Sequence, residues 1–263
     1  MIKHLLKKTI AGLGYELQRK GFSRCLGYDL ENDAEDLIRR VQPYTMLSRE
    51  RLVTLYQMVV HCERNAIAGD FVECGVWKGG AVALMALANL KSGNSPRHIH
   101  LFDAFTEICE PDQSIDGENA VQQAREWSES GGVEGKLKPL TGIYDSFGGP
   151  GTLEGNRELL TKEIGYDPGF LHFHKGWFQE TMPKDSSQIA QIAILRLDGD
   201  WYASTRVCLE FLFGKVVRGG FVIVDDYGTY EGCRKAVDEF RQKNKIADYL
   251  HHIDQPGRYW IKS

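Results

Sequence analysis

The spacing of apolar residues changes character along the chain. In the first twenty residues, MIKHLLKKTIAGLGYELQRK, the apolar Ile2, Leu5, Leu6, Ile10 and Leu13 fall near helical spacing, and no acid precedes Glu16. This predicts a basic amphipathic helix, of the kind that packs on its own domain, a membrane surface or a partner subunit. Packing at the periphery of its own domain is the expectation. Helical spacing returns over 33–40 and 48–68, with Ser48 placed as a cap and Arg51 where a capping box would carry Glu. From Asp70 onward short apolar runs alternate with helical stretches: DFVECGV, AVALMALANL, HIHLFDAF, then FLHFHKGW, IAILRLDGD, STRVCLEFLFGKV, GGFVIVDDYG and EGCRKAVDEFRQK. Such alternation predicts an α/β fold with a mostly parallel sheet. The strands read as continuous apolar runs, as expected when both faces are covered. DYLHHI and RYWIKS flank Gln255-Pro256-Gly257, which predicts a C-terminal antiparallel hairpin. The expected organisation is an N-terminal helical extension over 1–40 and one domain over 41–263. A polar stretch at 106–144 interrupts the rhythm. Two readings stay open for it, a lid or a loosely ordered surface loop carrying a helix near 119–127.

Composition narrows the function classes. The net charge of −4 over 263 residues leaves no basic footprint for nucleic acid. No run approaches the ~20 apolar residues of a membrane-spanning helix. The six cysteines are scattered without a C-x-x-C pair, so neither a disulfide framework nor a zinc ribbon is expected, and a reducing cytoplasm fits best.

In an open parallel sheet, ligands bind at the carboxyl ends of the strands. The run Glu73-Cys74-Gly75-Val76-Trp77-Lys78-Gly79-Gly80 follows one such end. It is neither the dinucleotide G-x-G-x-x-G nor a P-loop. Glu73, inside the strand end, needs a partner if buried. The next strand ends at Asp103, placed either to accept ribose hydroxyls or to cap a helix. Two further strands end in Asp198-Gly199-Asp200 and Asp225-Asp226. Carboxylates crowded on one rim repel unless protonated or bridged by a cation, and hard oxygen donors suit Mg²⁺. Asp198, Asp225 and Asp226, directly at the strand ends, are the expected ligands, with Asp200 pointing elsewhere. The pairs His98/His100 and His172/His174 each share one strand face, away from that rim, and are expected to pack rather than to bind zinc. No G-x-S-x-G elbow is present.

Five ordered blocks together carry a family resemblance. They are Tyr44-Thr45-Met46-Leu47-Ser48 with Glu50-Arg51, the Asp70–Gly80 run, Gly176-Trp177-Phe178 through Thr181-Met182-Pro183, LRLDGDWYAST from Leu195 to Thr205, and Val224-Asp225-Asp226-Tyr227-Gly228. From about Val41 to its end the chain resembles the macrocin O-methyltransferases, the TylF-type family. The resemblance implies a Rossmann-like S-adenosylmethionine (SAM) fold and Mg²⁺-dependent methylation of a sugar hydroxyl on a glycosylated natural product or saccharide. It further implies that Glu73, Gly75 and Trp77 line the methionine side of SAM, with Thr45 and Met46 closing over it. By the same likeness Asp103 holds the ribose, and Gly176, Trp177 and Phe178 border the adenine. Asp198, Asp225 and Asp226 match the metal triad. The similar catechol enzymes carry a lysine soon after the first metal aspartate; here Asp200-Trp201-Tyr202 stand in its place, and the likeness to the TylF-type family implies a carboxylate base instead, with Asp198 the candidate. A homo-oligomer is a further implication. The rival readings are a methyltransferase for a phenolic or amino-acid-derived molecule and a SAM-binding scaffold without turnover.

Overall fold

The computed structural model describes residues 29–93 and 95–263; the amphipathic pattern of the first twenty residues lies outside them. Residues 34–263 form one compact unit. The helix α1 (Asp29–Val41) leads into α2 (Arg49–Arg64), whose cap is Ser48: its Oγ accepts from the Arg51 N–H. Thus Ser48 caps without the reciprocal glutamate of a capping box.

The alternating pattern resolves as β1 (Asp70–Cys74), α3 (Gly80–Ser92), β2 (Ile99–Asp103), α4 (Glu118–Trp127), α5 (Leu153–Glu158), β3 (Leu171–Lys175), α6 (Phe178–Asp185), β4 (Ile192–Leu197), α7 (Tyr202–Leu212), β5 (Val216–Val224) and α8 (Glu231–Lys243). The hairpin β6 (His251–His252) and β7 (Arg258–Ile261) ends the chain. Seven strands form one sheet in the order β3-β2-β1-β4-β5-β7-β6. The first five are parallel, and β7 runs antiparallel to both β5 and β6. The order reverses at β1, between β2 and β4, so the crevice of a doubly wound sheet opens at their carboxyl ends. Every residue of β4 is buried, which is why IAILRL shows no alternation.

The 106–144 stretch is ordered. Ala124, Val133, Leu140 and Ile143 form a small apolar core of their own, packed by Ile108, Val121 and Tyr144. Isolated bridges Cys109–Pro139 and Asp112–Glu134 tie its two arms. The segment is also pinned to the sheet's rim: Trp201 Nε1 donates to the Cys109 carbonyl at 2.9 Å, and Asn119 Nδ2 to that of Thr229 at 3.0 Å. Asp116 Oδ1 accepts the Tyr202 N–H at 2.7 Å at the start of α7. Among the described residues no helix is long and apolar enough to cross a membrane.

Candidate active site

The hydrogen-bond ladder of the sheet runs one residue past the strand ends. Gly75 N–H donates to the Phe102 carbonyl, Asp198 N–H to that of Cys74, and Asp225 N–H to that of Leu197. Gly75, Asp198 and Asp225 are thereby set side by side. Gly75 is required by contact as well as conformation. Its φ is +92°, and a Cβ there would lie 1.8 Å from the Asp198 carbonyl oxygen. The turn after β1 continues through Trp77, a non-glycine residue at φ +46°, a conformation that costs of order 1 kcal/mol. Asp103 holds this turn. Its Oδ2 accepts from the Val76 and Trp77 N–H groups at 2.6 and 3.3 Å, and its Oδ1 from that of Phe105. Burial pushes the Asp103 carboxyl upward, against the pull of these three donors. Three donors leave the carboxylate with acceptor capacity to spare.

A cavity of about 410 Å³ opens over these strand ends. Gly75, Trp77 and Asp103 line one side, with Gly176, Trp177 and Phe178 beyond them. Met46 and Leu47 border it from the segment preceding α2, with Met46 half exposed. Thr45 is not on the wall; it packs against Gly80, and its Oγ1 accepts the Leu47 N–H at 3.1 Å. The ordered insert supplies Glu107, Ile108, Gln123, Trp127, Ile143 and Tyr144.

Asp198, Asp200 and Asp226 bring carboxylate oxygens within 4.8 Å of one another. Asp200 does not point elsewhere, as the sequence suggested. Its left-handed backbone, φ +56°, turns the side chain back to the rim, and its N–H reaches Asp226 Oδ2 at 3.3 Å. Burial pushes the Asp200 and Asp226 carboxyls well above the usual range, and each is pushed further by its acidic neighbours.

Asp225 sits differently. Its Oδ2 accepts from Arg196 Nη2 at 2.9 Å and from Arg51 Nη1. Arg196 also reaches Asp198 Oδ2 at 3.0 Å and pairs with Glu73, its direct neighbour across β1 and β4. Arg51 continues to Asp254 Oδ2 at 2.8 Å, which also accepts from Ser48 Oγ at 2.6 Å. The result is a largely buried ion-pair chain in which Arg51, Asp198 and Asp225 reach the cavity wall. Glu73 lies within it, 1% exposed and off the cavity wall, with Oε2 unpartnered. Arg196 was visible as a charge inside an apolar strand; Arg51 was visible only by its place after a cap and in the Tyr44–Arg51 block of the resemblance.

The reversed sheet order, the glycine turn after β1 and a cavity on the carboxyl rim together define a Rossmann-like, doubly wound protein with its ligand site at the switch point. Comparison with known proteins agrees. The family model of macrocin-O-methyltransferase (TylF) matches residues 16–136 and 160–262. A demethyldecarbamoylnovobiocin O-methyltransferase of Streptomyces niveus is 34% identical over 98% of this chain and 92% of its own length. An enzyme of Streptomyces olivaceus is 30% identical over 97% of this chain and 90% of its own. Its name is 8-demethyl-8-(2,3-dimethoxy-alpha-L-rhamnosyl)-tetracenomycin-C 4'-O-methyltransferase. Among solved structures, the O-methyltransferase NovP is similar with a TM-score of 0.65 and 31% identity, over 99% of this chain and 97% of that one. The chain belongs to the macrocin O-methyltransferase family and is an O-methyltransferase.

Proposed function

We propose that this O-methyltransferase transfers the methyl group of SAM to a hydroxyl of a sugar, on a glycosylated natural product or a free saccharide, with a divalent cation of the Mg²⁺ type in its site. The observation that carries the reading is the convergence of Asp198, Asp200 and Asp226 in the wall of the cavity that Trp77 and Trp177 also line. Three hard, mutually repelling oxygen donors fit such a cation. On this geometry Asp200 joins Asp198 and Asp226 as a ligand. Asp225, the third ligand the sequence suggested, is tied through Oδ2 to two guanidiniums and positions the rim.

The cofactor supplies an electrophilic methyl on a sulfonium, and the cation supplies positive charge that lowers the pKa of the acceptor hydroxyl. The protein does the rest. Gly75 and Trp77 would face the methionine part, Asp103 the ribose, and Gly176, Trp177 and Phe178 the adenine, with Met46 closing from above. Thr45 and Glu73 would support these walls from behind. Asp198 would accept the acceptor hydroxyl's proton, the methyl–sulfur bond breaking with its electron pair left on the departing thioether, S-adenosylhomocysteine. Positioning two reactants in line removes much of the entropic barrier. The 106–144 insert covers the acceptor side and keeps water out.

Calorimetry tests this with SAM and Mg²⁺ on the wild type and on Asp198→Asn, Asp200→Asn and Asp225→Asn. SAM binding by all four proteins is expected, with Mg²⁺ affinity falling at least tenfold in the first two. A loss in Asp198→Asn and Asp225→Asn with none in Asp200→Asn restores the triad of the sequence reading. Absence of SAM binding in the wild type overturns the proposal.

A further inference from the structure

The sheet edge away from the hairpin carries two pairs of imidazoles on one face of β2 and β3. His98 Nδ1 meets His172 Nε2 at 2.8 Å, and His100 Nδ1 meets His174 Nε2 at 3.1 Å. The pairs differ in what else they touch. In the inner pair each remaining ring nitrogen faces a carboxylate: His100 Nε2 meets Asp70 Oδ2 at 3.2 Å, and His174 Nδ1 meets Asp185 Oδ2 at 3.3 Å. Both inner rings are buried, so that pair is closed off and its nitrogens are all engaged. The outer pair is open. His98 is exposed and His172 half-buried. Among the described residues, no hydrogen bond or ion pair engages the outward nitrogens, His98 Nε2 and His172 Nδ1. Stacking holds both rings in place. The Phe170 ring lies 4.8 Å from that of His98, and the His100 ring lies 4.4 Å from that of His172.

Two imidazoles can share a proton or a metal ion across such a gap, and its width selects the ion. With metal–nitrogen bonds of about 2.0 Å, cis ligands at ~90° set their nitrogens about 2.8 Å apart, whereas tetrahedral ligands set them about 3.3 Å apart. The outer gap has the cis value. Tetragonal geometry with nitrogen and oxygen donors belongs to Cu²⁺ and Ni²⁺, and affinity for such donors peaks at Cu²⁺. A structural zinc site would need four protein ligands, and among the described residues these histidines belong to no cluster of three ligating side chains. Water can fill the other positions of a tetragonal ion at an exposed edge. The protons balance as well. Each neutral ring carries one N–H, and moving the one in the gap to the outward nitrogen of its own ring turns both lone pairs onto the ion. Burial, and then His100 and His98, hold the His172 pKa below its ordinary value, which favours the neutral ring that ligates.

We infer that His98 and His172 form a binding site for a tetragonal divalent ion, Cu²⁺ or Ni²⁺, chelated by His98 Nδ1 and His172 Nε2 with water completing its shell. The site lies near the amino-terminal ends of β2 and β3, at the other end of the strands from the aspartate rim, whose hard oxygen donors suit Mg²⁺. The ion ties the edge strand β3 to β2.

The test titrates untagged protein, in excess Mg²⁺, with Cu²⁺ read by electron paramagnetic resonance and with Ni²⁺ read by calorimetry. The tightest equivalent of Cu²⁺ on the wild type is expected to give an axial spectrum with coupling to two imidazole nitrogens. His98→Gln and His172→Gln should each weaken both ions by about tenfold or more, since one arm of a chelate is lost, and should reduce the coupling to one nitrogen. His252→Gln, in the terminal hairpin, should change neither. S-adenosylhomocysteine affinity should be the same in all four proteins, which separates loss of the site from loss of the fold. Ion affinities and spectra that His98→Gln and His172→Gln leave unchanged overturn the site. So does a wild-type spectrum with fewer than two nitrogens, or no binding of either ion; the pair then shares only a proton.

Discussion

Arg196 is 2% exposed and touches three carboxylates, those of Glu73, Asp198 and Asp225. Burial works against the guanidinium's charge, and the three acids together more than restore it, so it stays protonated. Such a centre adds little net stability over an apolar replacement of the whole cluster, but removing one member leaves buried charges unmatched. Arg196→Met is therefore expected to cost about 3–5 kcal/mol in urea unfolding. Arg196→Lys should recover only part of this, because a point charge on a flexible stem does not replace a planar fork spanning three partners. A loss below about 1 kcal/mol for the methionine variant would show that the cluster is solvated. Asp200 teaches a related lesson about spacing. Three residues past the end of β4, and two past Asp198, the Asp200 side chain is expected to point away. A left-handed backbone reverses that, and aspartate tolerates such a backbone better than most residues.

The β2–β3 edge carries the histidines that the sequence paired by strand face. They pack as a ladder: His98 Nδ1 meets His172 Nε2 at 2.8 Å, and His100 Nδ1 meets His174 Nε2 at 3.1 Å. The His174 ring stacks on Phe102 at 4.0 Å between centroids, and its Nδ1 faces Asp185 Oδ2 at 3.3 Å. Burial first, and then the neighbouring His100, push the His174 pKa down to about 4, despite Asp185. In the unfolded chain the group titrates near 6.5. Between these values the unfolded chain holds a proton that the folded one does not. Stability from this group is thus complete above about pH 6.5 and is lost as the pH falls toward 4. The expected loss approaches about 3 kcal/mol at the lower end. Urea unfolding at pH 7.5 and 5.0 checks it. His174→Gln should flatten the difference between the two conditions relative to the wild type, and an unchanged difference would assign the acid sensitivity to other groups.

At the scale of the molecule, the parallel strands and the closing hairpin were legible because each apolar run is short and bounded by polar or glycine-rich exits. DFVEC, IHLFD and IAILRL are examples. Less legible were features that depend on contacts distant in sequence. The Ser48–Asp254–Arg51 link joins residues about two hundred apart, and the apolar core within 106–144 rests on four residues set in a polar stretch. The aspartate rim was legible as chemistry, but which oxygens converge depends on the φ of one residue and on two arginines. That rim couples the site to overall stability. Folding brings Asp198, Asp200 and Asp226 together against their mutual repulsion, whereas in the unfolded chain they are apart and hydrated. A cation bound only by the folded rim offsets that repulsion by mass action. At a hundredfold excess over its Kd it adds about 2.7 kcal/mol. In a domain of this size each kcal/mol raises Tm by roughly 2–4 °C. Adding Mg²⁺ to chelator-treated protein should therefore raise Tm by about 5–10 °C, and chelation should reverse the rise. The combined Asp200→Asn and Asp226→Asn variant should melt higher than the wild type in chelator, since it lacks the repulsion, and should gain little from Mg²⁺. A wild-type Tm that ignores Mg²⁺ while the variant still melts higher would mean that protons, not a cation, neutralise the rim.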